Sequence, residues 1–198
     1  MSTLPDIRSL DKAKLKTWFE SQGEKAFRAT QVYEWLWKRN AASFLEMSNL
    51  SKALREKLEA NFSLGKAKIV NEQRSSDGTI KYGFMLSGGQ MVEGVLIPTS
   101  SRVTACISSQ AGCSLTCKFC GTGYLDLKHN LRHYEIFDQI ATLKELSEKE
   151  YGRPLSNIVY MGMGEPLLNY RNVLGSIEMV TSEDGLGMSP RRITVSTA

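Results

Sequence analysis

The sequence predicts an α/β fold with three successive parts: a small helical domain, an antiparallel β meander and a series of strand–loop–helix units. Three observations predict this order. Apolar residues recur at helical spacing over residues 1–65 and at strand spacing over residues 66–100, and strands then alternate with amphipathic helices over residues 101–198. We therefore predict three domains with these limits.

Residues 1–65 are predicted to form three short helices. The first follows Asp11, a good N-cap residue, the second runs from about Ala29 to Arg39, and the third follows Ser51. Their apolar faces are Leu15, Trp18 and Phe19; Val32, Trp35 and Leu36; and Leu54, Leu58 and Phe62. This segment carries 11 Lys and Arg residues against 8 Asp and Glu residues. Such an excess is most often an ordinary solvated surface, and RNA docking is the functional alternative.

Residues 66–100 have the alternation of an antiparallel meander. The predicted strands are Lys68–Gln73, Ile80–Leu86 and Gln90–Ile97, separated by turns at residues 76–78 and 88–89. Glu93 lies within the third strand, where a lone carboxylate normally marks the solvent face.

After Ser101 the order becomes strand, loop and helix. The predicted elements are strands Val103–Ser108, Asn157–Met161 and Arg192–Ser196 and helices Tyr134–Tyr151 and Asn169–Thr181. This alternation implies right-handed parallel crossovers, in either a doubly wound sheet or a barrel. Three units would leave a sheet edge and parts of both faces uncovered, so we expect a truncated chain.

Composition limits the kind of protein. The chain has 198 residues, a formal net charge of +4 and 41% hydrophobic residues, enough to bury a core. No apolar run reaches the length of a membrane span, and the N-terminus has no export signal. We expect a cytoplasmic monomer with free thiols.

All four cysteines fall between residues 106 and 120, and three of them, Cys113, Cys117 and Cys120, form a C-x3-C-x2-C array. Thiolates bind metals, and three ligands on a 4Fe–4S cluster would leave one iron open to a substrate. Two alternatives stay open: a closed zinc site with Cys106 as the fourth ligand, and simple burial of small apolar side chains. A disulfide framework is disfavoured because nothing directs export.

A second candidate loop is Gly-Met-Gly-Glu-Pro at residues 162–166. Gly162 and Gly164 allow a ligand to approach the backbone, and Glu165 can accept hydrogen bonds from an ammonium group. Taken alone, this motif is also typical of a plain turn. Because ligands bind beyond the carboxyl ends of parallel strands, we expect this loop, the cysteine loop and Ser196 to line one site.

The cysteine array resembles that of radical S-adenosylmethionine enzymes. The longer run Cys-Ile-Ser-Ser-Gln-Ala-Gly-Cys, followed by Phe119, Gly121, Thr122 and Gly123, is similar to RNA adenine C2-methyltransferases of the RlmN type. The resemblance implies a partial (βα) barrel, of which roughly three units lie here. It also implies a 4Fe–4S cluster on Cys113, Cys117 and Cys120, and S-adenosylmethionine contacts from Gly164, Glu165 and Ser196.

The resemblance further implies methylation of C2 of adenine in 23S ribosomal RNA and transfer RNA, through a 5′-deoxyadenosyl radical and a methylated cysteine near the C-terminus. Cys106 matches the cysteine that resolves the adduct, and Glu93 matches a proton acceptor. An electron donor such as a flavodoxin is implied as a partner. No cysteine follows Cys120, so we expect this chain alone to be inactive. The alternatives are another radical S-adenosylmethionine reaction and a zinc-stabilised RNA-binding module.

Overall fold

The computed structural model describes residues 4–198, which form two compact units. The first comprises the described residues up to Lys66 together with Ser182–Gly187, and the second comprises Ala67–Thr181 and Met188–Ala198. Over the described range, no helix has the length and apolar character needed to cross a membrane.

The first unit contains three helices, as the sequence predicts: α1 (Lys12–Ser21), α2 (Phe27–Trp37) and α3 (Lys52–Asn61). The side chains of Asp11 and Ser51 accept hydrogen bonds from backbone N–H groups in the first turns of α1 and α3, so both predicted caps are confirmed. Helix α2 starts and ends about two residues earlier than predicted. The core of the first unit includes Leu15, Phe19, Val32, Leu36, Trp37, Leu54 and Leu58.

The second unit is built on one mixed sheet of six strands. In chain order these are β1 (Lys68–Arg74), β2 (Ile80–Met85), β3 (Met91–Pro98), β4 (Val103–Cys106), β7 (Asn157–Tyr160) and β8 (Ile193–Val195), which is also their spatial order. Strands β1 to β4 pair antiparallel, whereas β4, β7 and β8 pair parallel. The meander and the parallel strands therefore share a single hydrogen-bonded sheet, and the predicted mixed α/β class is confirmed.

A short strand pair lies outside this sheet. Strands β5 (Gln110–Ala111) and β6 (His129–Asn130) pair antiparallel, and the chain between them forms the cysteine loop. The sequence pattern predicts no strands here. Strand β4 also ends at Cys106, two residues before its predicted end, because the backbone N–H of Ser108 leaves the ladder to bond with the Gln139 side chain.

Two helices cover the sheet. Helix α4 (His133–Tyr151) packs against β3 and β4, and α5 (Tyr170–Thr181) packs against α4. Gly94 makes the first contact possible, since a Cβ there would lie 2.8 Å from the Phe84 ring and 3.2 Å from Leu143. Side chains alternate along a strand, so the neighbouring Glu93 projects from the opposite face, away from α4.

Candidate functional site

The cysteine loop is closed at its base by strands β5 and β6. The backbone N–H of Lys128 donates to the Ala111 carbonyl at 2.8 Å, and that of Cys113 donates to the Leu125 carbonyl at 3.1 Å. Gly112 has a φ of +80°, and a Cβ at this position would overlap the backbone of Asp126. A glycine is therefore required where the two arms of the loop pass each other.

Cys113, Cys117 and Cys120 line the same cavity, which has a volume of about 320 Å³. All three are free thiols and half-buried. Backbone N–H groups of Thr122 and Gly123 lower the pKa of Cys120, which favours the thiolate that metals bind. These thiols therefore have the chemistry of metal ligands, and all three line one cavity.

The thiols are not gathered into a formed metal cage. Within residues 4–198, no group of three or more His, Cys, Asp or Glu side chains is arranged to hold a metal ion. Within the same residues, the four thiols of Cys106, Cys113, Cys117 and Cys120 are likewise not arranged as a metal site.

The loop at residues 162–166, which follows strand β7, also lines the cavity. The backbone N–H of Gly162 donates to the Ile107 carbonyl at 3.0 Å, and that of Met163 donates to the Ser108 hydroxyl at 2.9 Å. Gly164 has a φ of +94°, and a Cβ there would overlap the Gln110 side chain. The two glycines thus allow this loop to lie directly on the segment that precedes the cysteine loop.

Glu165 is 7% exposed and lines the cavity. Its Oε1 accepts hydrogen bonds from the backbone N–H of Leu167 at 2.9 Å and from the Thr197 hydroxyl at 2.7 Å. Its Oε2 accepts a bond from the Ala198 N–H at 3.1 Å. Burial alone would raise the pKa of Glu165, but these hydrogen bonds outweigh it and lower the pKa below its usual value. The carboxylate therefore stays ionised at neutral pH and can pair with a cation.

Ser196 follows strand β8 and also lines the cavity. The structure therefore brings six predicted site residues to one cavity: Cys113, Cys117, Cys120, Gly164, Glu165 and Ser196. They come from the carboxyl ends of three neighbouring parallel strands, as expected for ligand sites in α/β folds.

Glu93 lines a second cavity, of about 570 Å³, with Met91, Leu125 and Met163. Thr122 borders both cavities, so the two are neighbours. The Glu93 carboxylate is half-exposed and forms an ion pair of 3.0 Å with Lys81, which lies on the adjacent strand. The carboxylate thus faces a cavity rather than open solvent alone.

Cys106 lies at the end of strand β4, between Val95 on β3 and Val159 on β7. It is half-buried, and burial raises the pKa of its thiol. In the described chain, Cys106 is not among the residues that line the first cavity with the other three cysteines.

Several buried polar residues that organise the site were not identified from the sequence: Ser108, Gln110, Gln139 and Asn169. The Gln139 amide bonds both the N–H and the carbonyl of Ser108, each at 3.0 Å. Asn169 donates to the carbonyls of Ser109 and Leu131, both at 2.8 Å. The only sequence signal was the polar run Ser-Ser-Gln directly after an apolar strand.

The chain is similar to known RNA methyltransferases. Residues 5–64 match the family model described as the ribosomal RNA large subunit methyltransferase N-terminal domain. The chain is 62% identical to a probable dual-specificity RNA methyltransferase RlmN of Cytophaga hutchinsonii, over 97% of this chain and 53% of that protein. It is 54% identical to the corresponding Flavobacterium johnsoniae protein, over 98% of this chain and 55% of that one.

A solved structure is also similar. The crystal structure of a radical SAM methyltransferase from Sphaerobacter thermophilus matches with a TM-score of 0.86 and 36% sequence identity, covering 98% of this chain and 57% of that chain. The chain thus spans about half the length of the relatives that it matches.

Proposed function

Because this chain belongs to the RlmN family, whose amino-terminal part it matches, we propose that it forms the cofactor-binding half of a radical S-adenosylmethionine RNA methyltransferase. The proposed reaction of the whole protein is methylation of C2 of adenine in 23S ribosomal RNA and transfer RNA. The observation that carries the proposal is the convergence of three free thiols and the Gly162–Pro166 loop on one cavity.

In this proposal Cys113, Cys117 and Cys120 hold a 4Fe–4S cluster, and the loop that carries them closes around it when metal binds. Gly164, Glu165 and Ser196 hold S-adenosylmethionine, with the ionised Glu165 carboxylate facing its ammonium group. When bound, these groups supply a one-electron route to a carbon radical. Such a route is needed because both C2 of adenine and a sulfonium methyl are electrophilic.

The neighbouring cavity is the proposed position of the target adenine. Glu93 at its wall is the proposed proton acceptor, and its ion pair with Lys81 holds the carboxylate on the cavity side of strand β3. Cys106 is the proposed resolving residue. Burial raises the pKa of its thiol, so a base would have to take the thiol proton before the sulfur could act as a nucleophile.

RNA is the proposed partner, and the first unit offers contacts of the required kind. The guanidinium of Arg39 lies 4.5 Å from the centre of the Trp35 ring, and that of Arg28 lies 4.8 Å from the half-exposed Phe27 ring. Arginine beside an exposed aromatic ring suits both phosphate and base contacts. An electron donor such as a flavodoxin is the second proposed partner.

The proposed barrel comprises β4, β7 and β8 as its first strands.

Anaerobic reconstitution with iron and sulfide tests the cofactor assignment. We expect a brown protein with about four iron atoms per chain, and loss of nearly all iron in Cys117→Ser. The matched control is Cys106→Ser, which keeps its iron because Cys106 lies away from the cavity. The zinc-stabilised alternative predicts a colourless zinc protein that loses its metal in both variants. A colourless zinc protein, or loss of metal in Cys106→Ser, would contradict the proposal.

Identification of the RNA product tests the reaction. The whole protein, incubated with S-adenosylmethionine, a reductant and RNA, is expected to yield 2-methyladenosine by mass spectrometry of the digested RNA. A different modified nucleoside would favour another radical S-adenosylmethionine reaction at the same cofactor site.

A further inference from the structure

Gln110 lies in strand β5 and is fully buried. Its amide nitrogen Nε2 donates to Asn130 Oδ1 at 2.7 Å. Its amide oxygen Oε1 accepts a hydrogen bond from the backbone N–H of Glu165, also at 2.7 Å. One side chain therefore joins the base of the cysteine loop to the loop that carries Glu165.

The two partners belong to different loops. Asn130 lies opposite Gln110 in the β5–β6 ladder, which closes the base of the cysteine loop. Glu165 belongs to the loop after strand β7 and lines the cavity. Gly164 packs directly against the aliphatic part of Gln110, since a Cβ on this glycine would overlap it. Contact and hydrogen bond together fix the distance between the two loops.

Glutamine is suited to this position by its chemistry. An amide offers a donor and an acceptor at the end of one side chain, whereas an aliphatic residue offers neither and a carboxylate offers acceptors alone. Because Gln110 and Glu165 are both buried, loss of the bond between them would leave the Glu165 N–H without water to replace it.

We propose that Gln110 is a positioning residue that couples the cysteine loop to the Glu165 loop. It keeps the thiols of the first loop in a fixed position relative to the carboxylate of the second. The inference rests on the proposed function, which assigns both loops to one cofactor site. Asn169 supports the same arrangement, because it ties the residues flanking β5 and β6 together through the carbonyls of Ser109 and Leu131.

Hydrogen–deuterium exchange on the metal-free chain tests the coupling. Gln110→Leu removes both hydrogen bonds while keeping the size of the side chain. We expect exchange to become about tenfold faster in peptides covering residues 113–130 and 162–169, the change that corresponds to one lost buried bond. The matched control is Gln73→Leu on the exposed strand β1, which should change neither peptide.

Asn130→Ala provides the sharper test, because Asn130 is exposed and Gln110 stays in place. A purely local role confines faster exchange to the cysteine loop. If the two loops are coupled, exchange also becomes faster in residues 162–169. Asn130→Asp keeps an acceptor for Gln110 Nε2 and should restore slow exchange in both peptides.

The proposal is overturned if Asn130→Ala leaves residues 162–169 unchanged, or if Gln110→Leu behaves like Gln73→Leu. These results do not depend on metal, so failed iron uptake would remove the proposed function without deciding the coupling. In reconstituted protein, Gln110→Leu should keep its iron but bind S-adenosylmethionine about tenfold more weakly in calorimetric titration. Unchanged affinity would contradict a positioning role.

Discussion

The two loops that line the first cavity are held in place very differently. In the Gly162–Pro166 loop, three backbone N–H groups donate to acceptors within residues 107–110, at distances of 2.7–3.0 Å. The outer part of the cysteine loop is exposed instead, with Phe119 at 91% and Tyr124 at 77%. The wall proposed to recognise an organic ligand is therefore preformed, whereas the wall that carries the thiols is anchored at its base.

This difference has a physical reason. Hydrogen bonds and close packing can organise a loop without any ligand, but thiols repel one another as thiolates and gain a common position from a metal. Metal-binding energy can then complete the folding of a loop that has few contacts of its own.

Gly164→Ala changes the firmly held loop and should have the largest effect on the free energy of unfolding. The new methyl group would overlap Gln110 and lie 2.8 Å from its backbone nitrogen, at a φ of +94° that alanine rarely adopts. We expect the free energy of unfolding to fall by about 2–5 kcal/mol, measured by chemical denaturation.

Gly152→Ala is the matched control for this change. Gly152 also has a positive φ, of +62°, but a Cβ there would meet nothing within 4 Å. Its loss should be limited to backbone strain of about 1 kcal/mol. Equal losses in the two variants would mean that the loop at residues 162–166 is not tightly packed.

Ser108→Ala tests the hydrogen bonds beneath the same loop. The Ser108 hydroxyl donates to the Glu93 carbonyl at 2.6 Å and accepts from the Met163 N–H at 2.9 Å, and the residue is fully buried. Its removal should lower the free energy of unfolding by about 1–3 kcal/mol. The exposed Ser114→Ala in the cysteine loop should change it by less than about 0.5 kcal/mol, and a reversed order would refute the comparison.

Phe119→Ser tests the loosely held loop and should have the smallest effect. Phe119 is 91% exposed, so its truncation in the metal-free chain should change the free energy of unfolding by less than about 0.5 kcal/mol. Thermal unfolding monitored by circular dichroism measures this. A loss above about 1 kcal/mol would show that the outer part of the loop is packed before metal binds.

The sequence predicted the regular elements and the cavity residues well, because both leave local signals. Periodicity identified most of the helices and strands, and the order of strands and loops indicated that Cys113, Glu165 and Ser196 lie near one another, as the shared cavity shows. The N-caps Asp11 and Ser51 could be predicted because each bonds only to the first turn of the helix that follows it.

The polar network was missed because its partners are distant in sequence. Gln110 bonds to Glu165 across 55 positions, and Asn169 bonds to Ser109 across 60. The ion pair of Glu93 with Lys81 likewise depends on the register between β2 and β3, which no local pattern reveals. The position of Cys106 between β3 and β7 likewise follows from the ladders on both sides of β4.

The continuity of the six-stranded sheet decides where this protein can be dissected. Strand β3 covers one side of β4 with a ladder that runs from Val95 opposite Cys106 to Pro98 opposite Val103. A fragment starting near Ala67 keeps that ladder whole. A fragment starting at residue 100 strips it away and leaves the open edge of β4 as a template for self-association, so the shorter piece should precipitate where the longer one stays in solution.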